Sequence, residues 1–202
     1  MSQWDERYQT EEYVFGTEPN EFIARIRAYL PTQGKALDLA TGEGRNGIFL
    51  AQLGLKTEGV DMSLRGLEKA QKLAQQKGVD FTTRMANITE MDMPPEHYAV
   101  ITSVFCHFSE PERTRTMQRI VHALQPGGLF AGVFYHPDQI AYGTGGPSDP
   151  ALLGTPEEMQ QALSGLEWLV AEHSVREMNE GSRHQGMSSV ICLLGKKPSS
   201  GQ

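Results

Sequence analysis

Apolar positions along this chain follow two rhythms. Short runs that alternate or stay unbroken give way to stripes recurring near every 3.6 residues, the signature of strands alternating with helices. Phe22, Ile23, Ile26, Tyr29 and Leu30 form the first helical stripe, closed by Pro31 and Gly34. Lys35–Thr41 reads as the first strand, Arg45–Leu53 as a helix stopped by Gly54, and Leu55–Met62 as the second strand. Ser63 is placed to cap a helix carrying Leu64, Leu67, Ala70 and Leu73 on one face and ending at Gly78. Asp80–Ala86 is the third strand. The unbroken run VITSVFC within Ala99–Cys106 predicts a fourth strand buried on both faces.

Ser109 and Glu112 have the spacing of a capping box for a helix with Met117, Ile120, Val121 and Leu124 on one side. Pro126-Gly127-Gly128 ends that helix and opens the fifth strand, Leu129–Tyr135. Periodicity then dissolves. His136–Gly154 holds three prolines and four glycines and predicts a loop with little intrinsic order. Loops this long inside a domain are often functional. Thr155 and Glu158 form a second capping box for a short helix, and Leu166–Met178 with Met187–Leu194 reads as a final hairpin around Asn179–Gly186. No internal repeat is visible.

Length and composition narrow the class. A chain of 202 residues predicts a single domain, here 1–197, with a flexible tail at 198–202. Such a chain can bury roughly 70% of its unfolded surface. A net charge of −7 with a pI near 5.4 provides no basic face for nucleic acid. The polar, acidic start MSQWDERYQTEEY is unlike a secretory signal. No apolar run approaches the roughly 20 residues of a membrane span. Cys106 and Cys192, both in apolar strands, suit a reducing cytoplasm better than a disulfide framework. The expectation is a cytoplasmic protein without nucleic-acid or membrane partners.

The chemistry concentrates in Leu37–Asn46, LDLATGEGRN. A strand carrying Asp38 runs straight into Gly42-x-Gly44 and a helix, and Asp61 closes the next strand. That offset, roughly 20 residues, is where an acid bonds ribose hydroxyls in a nucleoside-binding crossover. Gly42, Gly44 and Gly47 also spell the dinucleotide pattern GxGxxG, so a nicotinamide-dependent oxidoreductase is one alternative. Carboxylates at Asp38 and Glu43 oppose a pyrophosphate at the helix N-terminus and favour a ligand bearing an ammonium and a sulfonium. No recognisable hydride-transfer pair accompanies the glycines. A tight strand-to-helix turn with solvated acids is the plainest alternative.

With these pieces placed, the chain resembles the class I S-adenosylmethionine-dependent methyltransferases, with its nearest look to the tellurite-resistance and thiopurine branch. The telling residues are Trp4, Tyr8, Phe15-Gly16, Pro19-Asn20, Leu37-Asp38-Leu39, Gly42-Glu43-Gly44-Arg45-Asn46, Val60-Asp61-Met62-Ser63 and Leu124-x-Pro126-Gly127-Gly128. The resemblance implies an α/β, Rossmann-like sheet of seven mostly parallel strands, the last antiparallel, with helices on both faces. It implies a cofactor-covering segment and helix over 1–34, a cofactor-binding core over 35–135, and a substrate loop with terminal strands over 136–195. S-adenosyl-L-methionine is the implied cofactor. Asp61 would hold its ribose, Asp38 with the Gly42 and Gly44 backbone its methionine moiety, and Arg45 and Asn46 would begin the helix beneath. Met62 would pack on the adenine, with Asn87 and Ile88 along its edge. That branch commonly has Asp where Asn87 stands, and an Asn oxygen can still accept from the adenine amino group. Trp4, Tyr8, Phe15 and Gly16 would close over the cofactor; the same residues also fit a hydrophobic staple of the first helix.

On the acceptor side, His107 follows the fourth strand at the carboxyl edge of the sheet and is the candidate general base, or else a strand or helix cap. Tyr135 and His136, and Arg183 and His184 in the hairpin EGSRHQG, are candidate pocket walls together with the GTGGP stretch Gly143–Pro147. Loop anchoring and a solvated hairpin tip are the alternatives. No His or Cys pair has a metal-ligand spacing, so no metal is expected. The expected activity is methyl transfer to a small molecule, possible acceptors being a thiol, a metalloid or a heterocycle; a non-catalytic S-adenosylmethionine-binding module is the other class. The residues leave the acceptor, and the choice of monomer or homodimer, open.

Overall fold

The computed structural model describes residues 3–182 and 184–199. Its strands are β1 (Lys35–Leu39), β2 (Lys56–Asp61), β3 (Phe81–Met85), β4 (Tyr98–Val104), β5 (Leu124–Tyr135), β6 (Glu167–Glu180) and β7 (His184–Lys196). They form one sheet in the order β3-β2-β1-β4-β5-β7-β6. The pairs among β1 to β5 are parallel, and β7 runs antiparallel between β5 and β6. The strand order reverses between β1 and β4, which opens a crevice at their carboxyl ends.

Alternation along the strands builds two cores. Leu37, Ile101, Phe130, Phe134 and Ile191 point to one face and meet Met117 and Ile120 of α5 (Glu112–Ala123) and Met159 of α7 (Pro156–Ala162). Ala36, Val100, Leu129, Val133 and Cys192 point to the other and meet Phe22 and Ile23 of α2 (Glu21–Arg25) and Leu50 of α3 (Arg45–Gln52). With helices on both sides, every residue of β4 is buried, as its unbroken apolar run predicts. Helix α4 (Leu64–Lys77) starts at Ser63, whose hydroxyl accepts the Gly66 amide at 3.1 Å, and ends at left-handed Gly78. The Thr155–Glu158 capping box of α7 also forms.

Several expectations need correction. Tyr29 is exposed, because the helix tightens into a 3₁₀ turn over Ile26–Tyr29 and swings that ring off the stripe. Leu64, at the start of its helix, is exposed as well. Ser109 and Glu112 make no capping box: α5 starts after Pro111 without a side-chain cap, and the Glu110 carboxylate instead accepts from Arg113 Nε at 3.0 Å. Strand β5 begins at Leu124, with a register shift opposite Tyr98 and Val100 absorbing Pro126-Gly127-Gly128. The loop after β5 is not featureless. It holds α6 (Gln139–Tyr142) and a 3₁₀ turn at Pro150–Leu152. Strands β6 and β7 extend to Glu180 and from His184, so the hairpin turn is tighter than expected. Lys197 is paired with Gly127 and Gly128, and of the tail only 198–199 fall within the described residues. Among the described residues no helix is long and apolar enough to cross a membrane.

Candidate cofactor and acceptor site

Both central strands leave the sheet through strained residues. Ala40, after β1, has φ 53°, and Phe105, after β4, has φ 54°. Left-handed conformations at non-glycine residues persist where surrounding structure over-determines them, commonly at functional sites. Beneath the first turn lies Asp38. Its Oδ1 accepts from Thr102 Oγ1 at 2.6 Å, and its Oδ2 accepts from Thr41 Oγ1 at 2.6 Å and the Gly47 amide at 2.9 Å. Burial pushes its pKa up, against those three donors. Asp38 therefore braces the loop from inside, in place of the expected direct hold on the methionine moiety. It also sits at the N-terminal turn of α3, where a pyrophosphate would have to bind.

Asp61 is better placed for a ligand. It ends β2, and its carboxylate accepts from the Gly42 amide at 2.8 Å and the Ser63 amide at 2.9 Å. Burial raises its pKa, opposed by the Ser63, Gly42 and Met62 amides. Gly42 has φ 54°, and a Cβ there would come within 2.6 Å of the Tyr8 hydroxyl. The loop is a backbone cradle that only glycine leaves open.

The N-terminal segment lies over this cradle. Trp4, in α1 (Gln3–Arg7), stacks on Tyr8 at 5.9 Å, and Tyr8 meets Phe15 edge-on at 6.4 Å. Ser63 Oγ donates to Asp5 at 2.7 Å. Burial, then Asp61 and Glu43, push the Tyr8 hydroxyl pKa far up, so it stays protonated. Gly16 makes its turn at φ 77° in open space. Glu43 has its own partners: it accepts the Val14 amide at 2.8 Å and pairs with Lys69. Its charge is matched locally and is not the barrier to pyrophosphate that the sequence suggested.

Arg45 and Asn46 do more than begin α3. Asn46 Oδ1 accepts the Asn20 amide at 2.8 Å. Arg45 donates to Glu180 Oε2 at 2.7 Å, and Glu180 Oε1 accepts from Asn20 Nδ2 at 2.7 Å. Burial raises the Glu180 pKa, but Arg45 and Asn20 outweigh it and hold the carboxyl below its ordinary value. The end of β6 is thus tied to the N-terminal segment. The hairpin turn is anchored as well, the Ser182 amide donating to the Val14 carbonyl at 2.9 Å while Ser182 itself stays exposed.

Met62 is 54% exposed beside Asp61 and available to a flat ligand. The adenine-edge expectations fare less well. Asn87 Oδ1 already accepts from the Thr89 amide at 3.1 Å and the Thr89 hydroxyl at 3.0 Å. The Ile88 side chain is buried in the core.

Across the crevice, four rings converge. Phe105 stacks on Tyr135 at 4.5 Å, and His184 packs against Phe15 and Phe105, each at 4.6 Å. The Tyr135 hydroxyl and His184 Nδ1 are buried without a hydrogen-bond partner among the described residues. Burial is the main reason Tyr135 is pushed up and His184 down to about 4. The GTGGP loop and the hairpin meet here: Thr144 Oγ1 donates to the Met187 carbonyl at 2.6 Å, and a Cβ at Gly146 would reach the Tyr135 ring at 2.6 Å. Arg183 lies outside the described residues.

His107 is a different case from the expected base. Its Nε2 accepts the Tyr135 backbone N–H at 3.1 Å, its ring stacks on Tyr135 at 5.8 Å, and burial lowers its pKa to about 4. The ring is neutral with its lone pair occupied, so it positions Tyr135. Cys106 beside it is pushed up to about 12 by burial, Asp61 and Asp38, and stays a thiol. His136 stacks on His173 at 4.0 Å, away from the four-ring recess.

Sequence reading missed Phe105 and Gln139, and it named Asn20 and Glu180 without pairing them. Gln139 is fully buried and pins the loop after β5: its Oε1 accepts the Ser189 amide at 2.8 Å and its Nε2 donates to Thr144 at 2.9 Å. A lone polar residue in an aperiodic stretch gives no signal of that role.

Residues 36–128 match the family model described as a methyltransferase domain. The Rossmann-like sheet is shared with solved structures described as S-adenosylmethionine-dependent methyltransferases. An uncharacterised methyltransferase of Synechocystis is 35% identical over 106 residues, which are 50% of this chain and 47% of that protein. The chain thus spans about half the length of that curated relative. A structure concerned with conversion of a disulfide bond into a thioacetal group in echinomycin biosynthesis has a TM-score of 0.77 at 15% identity, covering 97% of this chain and 90% of that one. An S-adenosylmethionine-dependent methyltransferase of Methanosarcina mazei has a TM-score of 0.70 at 16% identity, covering 91% and 100%. Identities this low establish the shared fold.

Proposed function

We propose that this protein transfers the methyl group of S-adenosylmethionine to a small, soft acceptor. One observation carries the reading: Asp61 is held at the end of β2 against the Gly42 amide, at the crevice where the strand order reverses. The donor set fits the cofactor. Asp61 would take the ribose hydroxyls, the Thr41–Gly44 backbone the methionine moiety, and exposed Met62 the adenine face. The Asp38 carboxyl already takes the Gly47 amide at the start of α3, an amide that a dinucleotide pyrophosphate would need.

When bound, the cofactor supplies an electrophilic methyl on a good leaving group. This chain's residues then need to position an acceptor and exclude water, which is worth roughly 7–11 kcal/mol at best. Trp4, Tyr8 and Phe15 would cover one side. Phe105, Tyr135 and His184 would hold the acceptor, with the Tyr135 hydroxyl donating and the neutral His184 Nδ1 accepting. Arg45 and Glu180 neutralise each other at the edge of this recess. An uncharged, polarisable acceptor such as a thiol or a heterocycle therefore suits it better than an oxyanion. No general base stands ready among the described residues: a heterocycle with an unprotonated lone pair needs none, and a thiol would release its proton to solvent. Two free cysteines fit a cytoplasmic setting for the same proposal.

The test is formation of S-adenosylhomocysteine from S-adenosylmethionine with a panel of thiols, heterocycles and chalcogen oxyanions. Turnover that rises with a neutral acceptor supports the reading. Cofactor binding with no acceptor-dependent product would favour the non-catalytic module.

A further inference from the structure

Strand β7 brings together two histidines that no local spacing connects. His136 follows β5 directly, and its amide donates to the Ser189 carbonyl of β7 at 3.0 Å. His173 lies on β6, paired across β7 with Ile191, and its Nε2 is 2.8 Å from the Ser189 hydroxyl. The imidazoles stack at 4.0 Å, and Asp138 reaches His136 Nδ1 at 3.2 Å. One donor atom from each of His136, Asp138 and His173 lies within 4.8 Å of the others. Glu157, in the first turn of α7, stands close enough to interact with both rings.

We propose that His136, Asp138 and His173 bind one divalent cation of the zinc class, fastening the loop 137–154 to the edge strand β6. Two imidazoles and a carboxylate are a donor set for a borderline transition metal, and mismatched to magnesium or calcium, which favour oxygen. Three protein ligands leave a fourth position for Glu157 or a solvent molecule. Zinc–nitrogen bonds of about 2.0–2.1 Å in tetrahedral geometry put ligand atoms roughly 3.4 Å apart. The cluster has to close by about an ångström and turn one ring out of the stack. His173 and Asp138 are exposed and have room to do so. The consequence is local order. Gly146 on the same loop lies against the Tyr135 ring, so fastening the loop steadies one wall of the four-ring recess.

The experiment is calorimetric titration of the full chain, freed of any affinity tag and treated with chelator, with zinc chloride. Absorption spectra with cobalt chloride run in parallel. The expected result is one site of micromolar affinity. In His173→Ala it weakens by about 10-fold or more, since changes one shell further out already cost roughly 10–100-fold. His173→Ala should keep the metal-free unfolding midpoint, because that ring is exposed. Asp138→Asn should weaken zinc in the same direction, and zinc should slow hydrogen exchange across 137–154. Absence of micromolar zinc binding would overturn the proposal. So would wild-type affinity in both variants, or a cobalt–thiolate charge-transfer band, which would move the metal to a cysteine.

Discussion

The Nε2 of His107 accepts the backbone N–H of Tyr135 at 3.1 Å, and that bond decides what the ring can do. A lone pair already engaged cannot take a proton unless the end of β5 moves. Turnover should therefore show no ionisation from His107 between roughly pH 6 and 8. His107→Ala strands the Tyr135 amide and should cost about 1–3 kcal/mol in stability. His107→Gln keeps an acceptor and should retain more of both stability and turnover. Rate profiles of the wild type and His107→Gln check this: a wild-type limb near neutrality that vanishes in the variant would restore the base.

Arg45 and Glu180 should behave as a buried pair, with side chains only 8% and 11% exposed. Glu180→Gln leaves the guanidinium charge almost buried, a loss on the order of 3–5 kcal/mol. Arg45→Met with Glu180→Leu should recover much of that. Urea unfolding of the four-member cycle measures it, and proteolysis should find residues 14–21 released in Glu180→Gln first.

Acid should destabilise the protein through His184. Its pKa falls from an ordinary 6.5 to about 4 in the fold. Between those values the unfolded chain binds more protons, so this contribution is complete above about pH 6.5 and is lost as pH falls toward 4. The upper bound is about 3 kcal/mol. Asp38 and Asp61, with raised pKa values, act in the opposite sense at low pH. Comparison with His184→Phe isolates the histidine. Phe fills the same aromatic packing, so unfolding midpoints should agree at pH 7 and diverge by pH 5, with the variant the more stable. Parallel pH dependences would contradict the assignment.

Gly47 tests what the third glycine of GxGxxG does here. A Cβ would fall 2.6 Å from the Phe81 ring and 3.0 Å from Asp38 Oδ2. Gly47→Ala should cost about 1–3 kcal/mol through overpacking of α3 on the sheet. Cofactor affinity, measured where the variant is folded, should change less than stability does.

The strands, the order of elements and the cradle were legible because each rests on local pattern. The VITSVFC run announced β4, and Gly42 with Asp61 announced the crevice. What escaped was set by tertiary pairing. Asn20 and Glu180 meet only once β6 is in place, and nothing near either residue marks the partner. Glu43 looked like a ligand-facing charge because its counterion, Lys69, comes from the next helix. His107 looked like a base because position on the sheet edge was readable and the Tyr135 amide above it was not. His136 and His173 looked unrelated because β7, which joins them, is the last strand made and the sixth in spatial order.

The central claim is a nucleoside cofactor with a sulfonium, held by Asp61. Calorimetric titration of the intact chain with S-adenosylmethionine, S-adenosylhomocysteine and NAD, repeated on Asp61→Ala, tests it most directly. The account predicts micromolar binding of the first two, none of NAD, and strongly weakened binding in a variant that still unfolds cooperatively. Binding of NAD alone, or unchanged S-adenosylmethionine affinity in Asp61→Ala, would contradict it.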